Sequence, residues 1–82
     1  ISVYPNPFSN EIIITSKNSA DVTGQLMKLY DVTGKLLTSQ IIKSQKTSIL
    51  ATSLLAGMYF LKIEGTQKPQ VFKLIKQHQG LL

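Results

Sequence analysis

Apolar residues with single lysines among them fill two segments near the end of the chain, Gly57 to Glu64 and Gln70 to Lys76. Successive side chains of an extended strand point to opposite sides, so each short apolar segment predicts a β-strand with two distinct faces. One face of the first strand carries Tyr59, Leu61 and Ile63, and the faces of the second carry Val71, Lys73 and Ile75 against Phe72, Leu74 and Lys76. Gly65 to Pro69 supplies the turn between them, and together the two segments predict a β-hairpin.

Shorter apolar segments between turn residues predict five further strands: Ile1 to Tyr4, Glu11 to Ser16, Gln25 to Tyr30, Lys35 to Ile42 and Lys46 to Ala51. Prolines restrict the backbone and lack an amide donor, so Pro5-Asn6-Pro7 ends the first strand. Asp31 to Gly34 predicts a four-residue turn, with Asp accepting hydrogen bonds and Gly taking a positive φ. No sustained helical period occurs. The spacing predicts an all-β sandwich of about seven strands in two antiparallel sheets.

The composition of the 82 residues agrees with one small folded domain. Apolar residues make up 43% of the chain, and nine lysines with four acidic residues give a net charge of +5. Such a charge steers a domain towards anionic partners. The alternative, which we favour, is that lysines cover exposed strand faces and edges, because phosphate-binding sites commonly use arginine and the chain has none.

Residues able to carry chemistry are few and scattered. There is no cysteine, and the sole histidine, His78, lies in the predicted tail. The acids are Glu11, Asp21, Asp31 and Glu64. A nucleophile needs an adjacent base and zinc needs several Cys or His ligands, so we predict no catalytic, cofactor-binding or metal site, and no enzyme activity.

Nucleic-acid-binding faces interleave aromatic and basic side chains. Such a face could be formed here by Phe60, Lys62, Phe72 and Lys76. We favour a simpler interpretation, in which Phe60 and Phe72 form a cross-strand pair.

No apolar stretch approaches the ~18 residues of a membrane span. The chain opens directly in a strand-like segment, which suggests a piece of a longer protein, and the lack of cysteine leaves its compartment open.

The order YPNPF, LYDVTGKLL, LLAGMYFLKI and VFKLIKQ resembles the C-terminal sorting domain of proteins exported by the type IX secretion system of Bacteroidetes (type A). The resemblance extends from Val3 to about Gln77. It implies an immunoglobulin-like sandwich of seven strands, with the sorting domain at 1–77 and a flexible tail at 78–82. Family members usually end within a few residues of the final strand, whereas here five residues follow it.

The resemblance also implies a role and partners. The domain would be the last part of a larger cargo protein and direct it through the outer-membrane translocon. Shuttle and sortase proteins of the outer membrane would then receive it, and a cell-surface sortase would remove it. The cargo would pass through the periplasm and finish at the cell surface, attached to lipopolysaccharide, or be secreted. No cofactor and no nucleic acid are implied.

The resemblance implies that the recognition residues are Gly57, Tyr59, Lys73 and Lys76. It also implies structural turn motifs at Pro5, Asn6, Pro7, Asp31 and Gly34. A terminal strand that presents backbone donors and lysines suits docking by strand addition and charge complementarity. For this we expect both lysines to be at least partly exposed. Gly57 and Tyr59 also have a structural interpretation, as a bend followed by a core tyrosine.

Two other functional classes stay open. The first is an immunoglobulin-like carbohydrate-binding or adhesion module beside a secreted enzyme, although such modules expose an aromatic platform and this chain has no tryptophan. The second is a homodimer formed by strand exchange, because a terminal strand has a free edge.

Overall fold

Seven β-strands make up the regular structure of the described residues. The computed structural model describes residues 1–17, 24–65 and 68–77. The strands are β1 (Ser2–Tyr4), β2 (Glu11–Thr15), β3 (Leu26–Asp31), β4 (Leu36–Ile41), β5 (Lys46–Leu50), β6 (Gly57–Glu64) and β7 (Gln70–Lys76). The bounds of β6 and β7 are those predicted from the sequence, and the other strands differ from prediction by one residue at one end or at both ends. The predicted tail, with His78, lies outside the described residues.

The strands form two antiparallel sheets, one of three strands in the order β1-β2-β5 and one of four in the order β4-β3-β6-β7. This confirms the predicted all-β sandwich. Stretches of β-branched and aromatic residues favour such sheets because their side chains pack well on a pleated surface. Among the residues described, no helix is long and apolar enough to cross a membrane.

The core lies between the inner faces of the two sheets. Strand β2 contributes Ile12 and Ile14, and β6 contributes Leu61 and Ile63. Burying such a side chain contributes about 1.5–3 kcal/mol. Three core residues come from outside the strands: Phe8, Ile42 and Ala51. The connections between strands therefore close the ends of the core.

The register of the β6–β7 hairpin pairs Phe60 with Lys73 and Leu61 with Phe72. Paired residues share a face of the sheet, so Phe60 lies on the outer face and Phe72 on the inner face. The predicted Phe60–Phe72 pair is therefore wrong. Alternation assigns the two faces of each strand, but it leaves open which residues of two strands stand opposite each other.

Candidate recognition site

The segment after β1 lies along the free edge of β7. The Asn6 Nδ2 donates to the Lys73 carbonyl over 3.0 Å, and the Ile75 N–H donates to Asn6 Oδ1 over 3.0 Å. The Phe8 N–H then donates to the Ile75 carbonyl, and the Gln77 N–H to the Phe8 carbonyl, both over 2.8 Å. The side-chain amide of Asn6 thus takes the place of a backbone peptide group, and Phe8 continues the pairing as a parallel bridge.

This pairing occupies only the C-terminal half of the β7 edge. Alternate residues of a strand direct their backbone groups to the same side, so the N–H groups of Val71 and Lys73 face the same edge as the N–H group of Ile75. Within the described residues, neither of these two N–H groups donates a hydrogen bond to a segment on that side. Strand addition, which the sequence suggests for the terminal strand, is therefore open only along the first half of β7.

Lys76 is buried, with 4% of its surface exposed. Its Nζ donates to the carbonyls of Ser9 and Ala51, the second over 2.8 Å, and lies 5.8 Å from the centre of the Phe8 ring. A cation over an aromatic face is attracted by the ring. Neither described ion pair includes this lysine. The expectation that Lys76 is exposed is therefore wrong, because the inner face of β7 ends where two loops offer carbonyl oxygens to an ammonium group.

Gly57 and Tyr59 lie beside Lys76. Gly57 pairs with Lys76 across the hairpin, and its φ of +146° lies in a region that side-chain-bearing residues rarely adopt. The Tyr59 ring is buried and meets the Phe8 ring edge to face, with centres 6.0 Å apart. Its hydroxyl donates to the Leu55 carbonyl over 2.5 Å. Folding alone accounts for both positions, in agreement with their structural interpretation from sequence.

Phe8, Tyr59 and Lys76 form a compact group that we call the end cluster. The Asp31 turn is at the same end of the sheet, since Asp31 pairs with Tyr59. Sequence motifs that are far apart in the chain thus meet at one end of the sandwich. Lys73 is separate from the cluster, exposed on the outer face opposite Phe60.

The Asp31 turn has the predicted geometry. The Gly34 N–H donates to the Asp31 carbonyl over 3.0 Å, and Gly34 has a φ of +90°. The carboxylate accepts from the Thr33 hydroxyl over 2.6 Å, from the Thr33 N–H, and from the Lys35 N–H over 3.1 Å. These bonds, first that of the Thr33 hydroxyl and then that of the Lys35 amide, lower the pKa of Asp31 below its usual value.

Three members of the Lys76 site were absent from the sequence-based prediction: Phe8, Ser9 and Ala51. Phe8 carried a weak signal, as an aromatic residue directly after the proline motif. Ser9 and Ala51 act through backbone carbonyls, which every residue possesses, so their side chains carried no signal.

Comparison with known families assigns the chain. Residues 2–77 match the family described as the secretion system C-terminal sorting domain, and the chain belongs to this family of type IX sorting signals. No curated protein matches it. A solved structure of PorZ, described as an essential bacterial surface component of the type-IX secretion system of Porphyromonas gingivalis, is similar in fold, with a TM-score of 0.78 at 19% identity. That match covers 94% of this chain and 11% of the PorZ chain.

Replacing Lys76 tests whether its ammonium group holds the end of the sandwich together. We expect Lys76→Ala to lower the free energy of unfolding by about 2–4 kcal/mol, because it empties a buried site and removes the ammonium donor from the Ser9 and Ala51 carbonyls. Lys73→Ala, the same change on the same strand at an exposed position, should stay within about 0.5 kcal/mol of the original chain. Urea unfolding of the two variants measures the difference, and equal stabilities would contradict the structural role of Lys76.

The Asp31 turn predicts a specific pH dependence. A pKa lowered by folding from its ordinary 3.8 means that the carboxylate stabilises the fold fully above that pH. The stabilisation is lost as the pH falls through the lower, folded-state pKa. We therefore expect Asp31→Asn to lower the melting temperature at neutral pH. In acid, the melting temperature of the variant should approach that of the original chain. A difference in melting temperature that stays constant from pH 7 to pH 2 would contradict this account.

Proposed function

We propose that this domain directs the protein to which it is attached from the periplasm through the type IX translocon, and that a cell-surface sortase then removes it. The observation that carries the proposal is the family match over residues 2–77. The seven-stranded sandwich supports it, as does the gathering of the family's motifs at one end of the fold. The cargo then remains at the cell surface, attached to lipopolysaccharide, or is released.

We assign to the domain the role of a folded signal without catalytic activity. The family is one of sorting domains. Tyr59 and Lys76 are buried in the end cluster, and Gly57 beside them has a positive φ that suits a bend, which gives all three a role in shape. Lys73 and the first half of the β7 edge are left as groups that a partner can reach. Their exposure supports direct contact with the translocon or with the shuttle and sortase proteins.

An export assay tests the proposal. An inert periplasmic reporter carrying an ordinary N-terminal signal is fused to these 82 residues and expressed in a bacterium that has the type IX system and in a mutant without its translocon. We expect the reporter outside the first strain and retained in the periplasm of the second. The reporter alone, without the domain, serves as the control in both strains.

Two results would contradict the proposal. Retention of the fusion in both strains would show that the domain carries no export signal. Export from both strains would show that export uses another route.

A further inference from the structure

The outer face of the four-stranded sheet is rich in apolar side chains. The register places Leu36, Tyr30, Phe60 and Lys73 in one row across all four strands, and Met58 beside Ile75 in the next. Val71 is 62% exposed, Leu36 47% and Ile75 37%, while Tyr30, Met58 and Phe60 are half-buried. We call these six apolar residues with Lys73 the outer patch. An outward face of an antiparallel sheet is normally polar, so this one requires an explanation.

The opposite side of the sandwich provides a comparison within the same chain. On the outer face of the three-stranded sheet, one row is Ser2, Thr15 and Lys46, the next is Tyr4, Ile13 and Ser48, and the last pairs Glu11 with Leu50. This face is mainly polar, as expected for a solvated sheet. The outer face of the four-stranded sheet is therefore the more apolar of the two outer faces. Contiguous exposed apolar surface on a small domain commonly marks an interaction site.

The charges around the outer patch are mainly positive. Among the described residues, Glu64 is the only acid on this face, and it pairs with Lys28 over 2.8 Å and with Lys62 over 3.3 Å. Those three residues together carry one positive charge. Lys73 takes part in neither ion pair and adds another. A partner that covers this face gains from carboxylates at its rim.

We propose that the outer patch is the docking surface for a protein of the export machinery whose own contact surface is apolar and rimmed by carboxylates. The proposal rests on the proposed sorting function and names the surface through which it acts. An apolar centre with a charged rim is the arrangement of protein–protein interfaces. Polyanionic nucleic acid or anionic lipid would instead require many unpaired cations. Among the described residues of the outer patch, Lys73 is the one lysine, and it lies outside both ion pairs.

The size of the face argues against a second copy of the chain as the occupant. Four strands about 4.8 Å apart and about 20 Å long give a face of roughly 400 Å². A stable dimer buries about 800 Å² on each partner. A smaller contact suits a transient complex, which a cargo must leave after export.

Charge reversal at two matched positions tests the docking surface in the reporter fusion. Lys73→Glu and Lys46→Glu change the net charge equally, and both lysines are exposed on strands, but only Lys73 lies in the outer patch. We expect Lys73→Glu to reduce export about tenfold or more, since a loss of about 1.4 kcal/mol of binding is tenfold in affinity. Lys46→Glu should export within about twofold of the original fusion.

A second matched pair removes apolar surface and keeps the charge. Ile75→Thr lies in the outer patch, and Leu50→Thr lies on the polar outer face, with both original side chains exposed. Threonine is β-branched and favours strands, so both variants should fold, and thermal unfolding checks this for all four. We expect Ile75→Thr to reduce export several-fold more than Leu50→Thr.

The outcomes separate the docking proposal from the sorting function. If the original fusion is exported and the patch variants are exported as well as their controls, the docking surface is overturned and the sorting function stands. If the original fusion is retained, both fall. Sedimentation of the purified domain as a dimer that Ile75→Thr abolishes would overturn the proposal in favour of a second copy as the occupant.

Discussion

The contact on which the rest of this domain depends is that of the buried Lys76 ammonium with two backbone carbonyls. Ser9 follows β1 and Ala51 follows β5, both in the three-stranded sheet, whereas Lys76 ends the last strand of the other sheet. A buried charge without an acidic partner is costly unless hydrogen bonds replace its hydration. The two carbonyls and the Phe8 ring supply that replacement. One side chain thereby joins both sheets at one end of the sandwich.

This contact makes the terminal strand depend on the first ten residues of the domain. Asn6 and Phe8 occupy the second half of the β7 edge, and Ser9 receives the Lys76 ammonium group. The first half of that edge lies on β7, and the outer patch includes Val71, Lys73 and Ile75 of the same strand. Both surfaces proposed for recognition therefore depend on a strand that residues from the opposite end of the chain hold in place. A receptor that reads these surfaces therefore reads a folded domain, and a truncated or unfolded cargo lacks them.

Local patterns in the sequence predicted the strands and turns well, because alternation and turn residues act over a few positions. The β6 and β7 bounds and the Asp31–Gly34 turn are examples. The hairpin register was not predictable, since apolar residues occupy both faces of β6 and of β7 and more than one pairing of Phe60 satisfies the pattern. The burial of Lys76 was missed for a different reason. Its carbonyl partners are 67 and 25 residues away, and backbone carbonyls leave no trace in the choice of side chain.

The role of Asn6 was hidden in the same way. A proline-flanked asparagine predicts a turn, and only the structure shows that its side-chain amide pairs with residues 67 and 69 positions later. The sequence thus located the motif and missed its partner. The family resemblance, by contrast, was carried by several motifs in order, and the structure gives a physical reason for their association by bringing them to one end of the fold.

The central claim is that the segment after β1 holds the last strand in place, and amide hydrogen exchange of β7 in an Asn6→Ala variant tests it most directly. The Ile75 N–H donates to Asn6 Oδ1 in this structure. We expect its exchange to become about tenfold faster or more, because its acceptor is lost and the neighbouring pairing is weakened. The amide groups of β3, in the interior of the same sheet, should keep their protection. Unchanged protection of Ile75 in the variant would contradict the account, because it would show that the last strand is held without the segment that follows the first.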